Sequence, residues 1–218
     1  MSTPKLYDYW RSSASYRVRI VLNLADIEYN AVSINLLEGE HRTAAHRARH
    51  PRGLVPALEI DGHLFTQSLA IIDYLNETRN LGLLPYDTAL RTKIKALAQT
   101  LAVDVHPICS LSVAKFATVL SGSEDTRLLW MKHFIEPGLQ SFETMLADFN
   151  QTPFATGNSV SLADVCLIPQ IYNALRWEAD FSGCTRIQSV IKACELHSAF
   201  IKAHLDAINL NRTPYGCP

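Results

Sequence analysis

Neither sign of charge is in excess: 20 lysines and arginines stand against 21 aspartates and glutamates, a net charge of −1. With no basic run longer than a few residues, nothing draws the chain as a whole to nucleic acid or to an anionic membrane, and neither is expected as a partner. No apolar stretch approaches the roughly 20 residues that a bilayer span requires, and Met1-Ser2-Thr3-Pro4-Lys5 carries no apolar signal region, so a cytoplasmic location is the default expectation. Cysteine is scarce and scattered: Cys109, Cys166, Cys184, Cys194 and Cys217 are odd in number and lack paired ligand spacing. They read as reduced thiols, with no disulfide framework and no metal site. Internal repeats and low-complexity segments are missing too. Hydrophobic residues are plentiful, at 48% of 218 positions, enough to fill the core of one large domain or two small ones.

The first third of the chain alternates strand and helix signals. Lys5-Leu6-Tyr7-Asp8-Tyr9 reads as a strand, and Val18, Ile20, Val21, Leu22 and Leu24 supply the apolar face of a helix. A second strand follows over 28–34, and a polar, exposed second helix over 40–49. After His50-Pro51-Arg52-Gly53-Leu54-Val55-Pro56, the Asp61-Gly62 pair between two short apolar runs signals a hairpin. Ser68 can then cap a third helix beginning Leu69-Ala70-Ile71-Ile72. This βαβαββα order suggests a thioredoxin-like domain over 1–82. Leu81 to Asp87 breaks the pattern as a linker, and an all-helical domain is expected over 88–218. Helical spacing covers 91–121, 125–150, 162–176 and 187–204, with Pro137 and Pro169 as candidate kinks or boundaries. Ser161-Leu162-Ala163-Asp164 fits a capping box, and the tail 209–218 is expected to be poorly ordered.

Trp10-Arg11-Ser12-Ser13-Ala14-Ser15-Tyr16-Arg17-Val18-Arg19 joins the first strand to the first helix through small hydroxyl residues. Serines at a helix start cap orphan N–H groups, while the free N–H groups and the helix dipole attract a carboxylate, phosphate or thiolate. The residue types alone allow either a simple cap or an anion site. From Arg11 to Arg19 the stretch resembles the signature of zeta-class glutathione transferases, the family that includes maleylacetoacetate and maleylpyruvate isomerases. The family pattern is a serine-serine-cysteine run, an aromatic residue and two arginines one apart, so Ala14 is a departure.

The resemblance spans nearly the whole chain and implies the cytosolic glutathione transferase fold, glutathione as cofactor and a homodimer. It assigns Ser12 first, and Ser13 second, as the hydroxyl that stabilises the glutathione thiolate. A thiol with an ordinary pKa of about 8.5 needs such help at neutral pH. It further implies a cis Pro56 that lets the Val55 backbone pair with the tripeptide, Gln67 and Ser68 at the γ-glutamyl carboxylate, and His41 near the glycine end. Without the resemblance, Ser68 reads equally as a helix cap and His41 as a solvated surface residue.

Two later clusters carry the same likeness. Asp104-Val105-His106-Pro107-Ile108-Cys109-Ser110 resembles the segment that passes over the family's active site. His106 and Ser110 are the candidate glutathione contacts there, although Ser110 stands where many relatives have asparagine. Leu167 to Trp177 shares the proline-glutamine, asparagine-alanine and arginine-aromatic pieces, and Arg176 would offer a planar fork to a substrate carboxylate. On residue type alone, Arg176 is a surface arginine paired with Glu178 or Asp180. The implied reaction is glutathione-dependent cis–trans isomerisation of maleylacetoacetate or maleylpyruvate, in aromatic amino-acid or aromatic-acid catabolism. The alternatives are a general transferase that conjugates or dehalogenates small electrophiles, and a non-catalytic interaction module of the same fold.

Overall fold

A computed structural model of the protein describes residues 3–150 and 152–209. Cys217 and the tail from 210 lie outside the described residues. The chain divides into two units: residues up to Leu81 together with those from Leu196 onward, and Gly82–Glu195.

In the first unit, β1 (Lys5–Asp8), α1 (Ser13–Leu24), β2 (Asn30–Ser33), α2 (Ala44–Arg49), β3 (Ala57–Ile60), β4 (His63–Thr66) and α3 (Ser68–Arg79) follow the expected thioredoxin-like order. The sheet runs β2-β1-β3-β4. β1 and β2 are parallel, which requires the crossover helix α1 between them, while β3 pairs antiparallel with both β1 and β4. Asp61 and Gly62 have φ of 53° and 79°, and Ile60 pairs with His63 across them. Two left-handed residues in a two-residue loop match the twist of the flanking strands.

α1 is buried continuously from Ser15 to Leu22 rather than along one stripe, because α3 and α9 (Ser198–Ala203) both pack on it. Asn23 donates its side-chain amide to the Ala199 carbonyl at 3.0 Å, and Arg19 Nε donates to Ala203 O at 3.3 Å. A short α10 (Leu205–Asn209) completes the unit.

The second helix is a correction. A 3₁₀ turn at Glu40–Arg42 precedes α2, which is only six residues long and is not wholly exposed: His46 is 1% exposed. Its ring bonds the Leu54 carbonyl at 2.8 Å, so a residue that looked like part of a solvated face is a brace.

The second unit holds α4 (Thr88–Gln99), a π-helical segment (Thr100–Val105), α5 (Leu111–Ser121), α6 (Thr126–Leu146), α7 (Leu162–Arg176) and α8 (Thr185–Glu195). Pro137 and Pro169 neither end nor divide their helices; α6 and α7 run through them, held by buried neighbours such as Ile135, Leu139, Leu167 and Ile171. A Cβ on Gly138 would overlap Val105, so this glycine lets the π-helical segment lie directly against α6. The Ser161–Asp164 capping box is formed, and the buried Asp164 carboxylate also accepts from the Ala155 N–H at 2.8 Å. The stretch expected as a linker is anchored: Leu83 is buried and its carbonyl accepts from Leu162 N at 3.0 Å.

Candidate active site

Strand register brings the N-terminal candidates to one end of the sheet. Tyr7 pairs with Ala57 and Ala57 with Thr66, so the third of the four residues of β1, the first residue of β3 and the last of β4 lie side by side. From that edge the chain enters Ser12 and Ser13, leaves Val55 and Pro56, and enters Gln67 and Ser68.

Ser12 is the N-cap of α1, with extended φ and ψ of −74° and 117°, and its Oγ accepts from Ser15 N at 3.2 Å. Accepting uses a lone pair and leaves the hydroxyl proton free to donate, so cap and anion donor are compatible roles for one side chain. Ser13, the first helical residue, is buried. The Val55–Pro56 peptide is cis. Behind it, Gly53 has a φ of +61°, and a Cβ there would sit 2.5 Å from the His41 carbonyl, so the loop is pressed onto the 3₁₀ turn that carries His41. Burial, with Arg42, His46 and Arg47 adding repulsion, lowers the His41 pKa.

At the start of α3, Gln67 and not Ser68 occupies the cap position, with a φ of 67°. Ser68 is the first helical residue, is buried, and accepts from Arg17 Nε at 3.2 Å. The simple cap is therefore corrected: left-handed Gln67 swings the serine inward, and Arg17 ties the start of α3 to α1. Each helix start presents unpaired backbone N–H groups and the positive end of a dipole.

In the helical unit, His106 closes the π-helical segment, its N–H bonding Leu101 O at 2.9 Å. Ser110 stands at the N-cap position of α5 without making a cap bond, its hydroxyl 3.5 Å from that of Ser112. Trp130 Nε1 donates to Ile108 O at 3.1 Å and fixes the turn between them. Cys109 is buried there, and desolvation pushes its thiol pKa up to about 11. Arg176, exposed at the end of α7, lies over the Trp177 ring at 4.8 Å. Glu178, one of the partners expected for it, pairs with Lys132 at 3.8 Å, and Asp180 accepts from Ser182 N at 2.9 Å. Among the described residues no group of three or more His, Cys, Asp or Glu is placed to hold a metal, and no helix is long and apolar enough to cross a membrane.

Residues 2–77 match the family described as the glutathione S-transferase N-terminal domain. Over 205 residues the chain is 48% identical to a maleylacetoacetate isomerase of Rhizobium meliloti (strain 1021), covering 92% of this chain and 95% of that protein. The chain belongs to the zeta-class glutathione transferases, among the maleylacetoacetate isomerases.

Solved structures agree with the family. The holo structure of a maleylpyruvate isomerase, a bacterial zeta-class enzyme, superposes with a TM-score of 0.91 at 33% identity, covering 98% of this chain and all of that one. A maleylacetoacetate isomerase of Anaeromyxobacter dehalogenans 2CP-1, with dicarboxyethyl glutathione and citrate bound in its active site, gives 0.84 at 35% identity over 99% of this chain and 98% of that one. Within this zeta-class chain, two residues near the site carry no local signal of their place in it. Arg17 belongs to the motif, but its burial against Ser68 depends on a contact 51 positions away. His46 had no signal at all, since nothing local marks one histidine of a polar helix as buried.

Proposed function

We propose that this chain isomerises maleylacetoacetate or maleylpyruvate to the fumaryl isomer with glutathione as cofactor. The carrying observation is the sheet end where Ser12, the cis Val55–Pro56 peptide and the Gln67–Ser68 helix start converge. These residues suit an extended tripeptide bearing an anionic thiol and a carboxylate. Glutathione, when bound, supplies the thiol that adds to the cis double bond and leaves again once the resulting single bond has rotated, so it is regained unchanged.

The chain's own contributions are electrostatic and positional. Ser12 donates its free hydroxyl proton to the sulfur and favours the thiolate; Ser13 is the second candidate. The Val55 backbone pairs with the peptide as an added strand, Gln67 and Ser68 hold the γ-glutamyl carboxylate, and His41 lies toward the glycine end. His106 and Ser110 are proposed as further glutathione contacts, and Arg176 as the clamp on a substrate carboxylate. Because the nucleophile belongs to the cofactor, Ala14 in place of a cysteine is compatible with turnover. The glutathione adduct carrying two carboxylates in the Anaeromyxobacter relative supports addition of the thiol to an unsaturated diacid. A cytoplasmic homodimer serving aromatic catabolism completes the reading, supported by the family likeness.

Product analysis tests it. Incubation with maleylacetoacetate and glutathione should give the fumaryl isomer with glutathione undiminished. Stoichiometric consumption of glutathione into a conjugate would replace isomerase with transferase. For Arg176, replacement by lysine should weaken isomerisation and replacement by alanine should weaken it more, while conjugation of an uncharged electrophile changes little. Equal losses on both substrate types would make Arg176 structural.

A further inference from the structure

A run of hydrogen bonds ties the short helix α2 to the loop that leads into Val55. Thr43 Oγ1 accepts from His46 N at 3.3 Å, His46 O from His50 N at 2.8 Å, and His50 O from Gly53 N at 2.7 Å. Gly53 in turn is pressed onto the His41 carbonyl, where a Cβ would not fit. The last tie is a side chain: the buried His46 ring, through Nε2, bonds the Leu54 carbonyl at 2.8 Å. A carbonyl can only accept, so Nε2 carries the proton, while Nδ1 is covered and has no partner. Among the described residues the ring therefore makes one hydrogen bond, and it goes to Leu54.

An apolar side chain would fill a buried place on α2 at lower desolvation cost, so what a histidine adds is that single N–H. Its effect passes one residue further along the chain. The Leu54–Val55 peptide is trans, and in a planar trans unit the C=O and the N–H point in opposite directions. With the Leu54 carbonyl held toward α2, the Val55 N–H must face away from that helix, and among the described residues it meets no acceptor. We propose that His46 is a positioning residue for glutathione: it aims the Val55 N–H at the tripeptide and so sets cofactor affinity without touching the cofactor. This rests on the reading above in which the Val55 backbone pairs with glutathione, and it deepens that reading. Thiol activation lies outside the brace, because its donor, Ser12, stands at the start of α1.

The test compares the wild type with His46→Phe, which keeps a ring in the buried place and removes the donor, and with His46→Gln, whose side-chain amide can donate to the same carbonyl. Calorimetry with glutathione alone reads affinity without turnover, and steady-state kinetics with maleylacetoacetate separates kcat from KM. His46→Phe should weaken glutathione binding and raise its KM by about three- to ten-fold, as expected for one neutral hydrogen bond. At saturating glutathione, kcat and the KM for maleylacetoacetate should stay within about two-fold of wild type, and the pKa of the bound thiol should not move. His46→Gln should recover most of the lost affinity. Unchanged affinity in His46→Phe, or a loss shared by kcat and thiol pKa that glutamine does not repair, would overturn the positioning role and leave the isomerase reading standing. A wild type that binds no glutathione would sink both. A wild type whose affinity depends on His46 but which only conjugates glutathione would remove the isomerase reading and keep the positioning role.

Discussion

Arg19 donates from one nitrogen to both carboxylate oxygens of Asp8, at 2.8 and 3.0 Å, with neither side chain more than 1% exposed. Its other nitrogens reach the carbonyls of Trp10, at 3.1 Å, and Ala203. One guanidinium thus joins the end of β1, the loop leading to Ser12, and α9.

Removing one partner of a buried pair leaves the other charged and unsolvated, so Arg19→Ala should cost about 3–5 kcal/mol in denaturant unfolding. Arg19→Lys should lose less, keeping the charge but not the planar fork. A loss in the alanine variant no larger than that of a surface substitution would mean that the pair contributes little.

Ser12→Ala should do two things at once. Loss of the cap should cost roughly 1 kcal/mol of stability. Loss of the donor should raise the pKa of bound glutathione's thiol by about 1–2 units, read by thiolate absorbance. Ser13→Ala should shift it less. A raised thiol pKa in the Ser13 variant alone would reverse the assignment.

Alkylation should spare the native enzyme. The active-site turn has Ala14 in place of a thiol, and Cys109, its pKa pushed to about 11 by burial, is about one part in a thousand thiolate at pH 8. Mass mapping after treatment with iodoacetate should find Cys109 unmodified until the protein is denatured. An early adduct there, with activity lost, would contradict this.

Acid should weaken the N-terminal unit. Burial, then the charges of His46 and Arg52, hold the His50 pKa below its ordinary 6.5, against a backbone hydrogen bond that raises it. A histidine kept neutral by the fold binds its proton more readily when unfolded. The stability at stake is therefore complete above about pH 6.5 and is lost progressively below it. The thermal midpoint should fall between about pH 7.5 and pH 5, and less steeply in His50→Asn. An identical slope in the variant would remove His50 as a cause.

Local chemistry was readable in the sequence and distant contact was not. Asp61-Gly62 announces its hairpin and Ser161-Asp164 its helix start, because turn and cap preferences are settled within four residues. The helical spacing of 162–176 likewise matches α7. Gln67 hid its left-handed backbone because a glutamine rarely adopts one, which moved the cap by a residue. The burial of Arg17 and Arg19, the bond from His46 to Leu54, and the stacking of Arg127 on Trp177 arise from pieces of chain brought together only by folding. Polarity alone would have left all four on the surface.

The docking of α9 on α1 bears on how this protein is made. Asn23 and Arg19, in the first helix to leave the ribosome, find their carbonyl partners at Ala199 and Ala203 only after the whole helical unit has been synthesised. Until then those donors and the face of α1 that α9 covers lack the partners they have in the complete chain. The segment that matches the glutathione S-transferase N-terminal family therefore does not contain all the partners of its own first helix. Synthesis of α9, rather than emergence of the first 81 residues, is what makes those partners available.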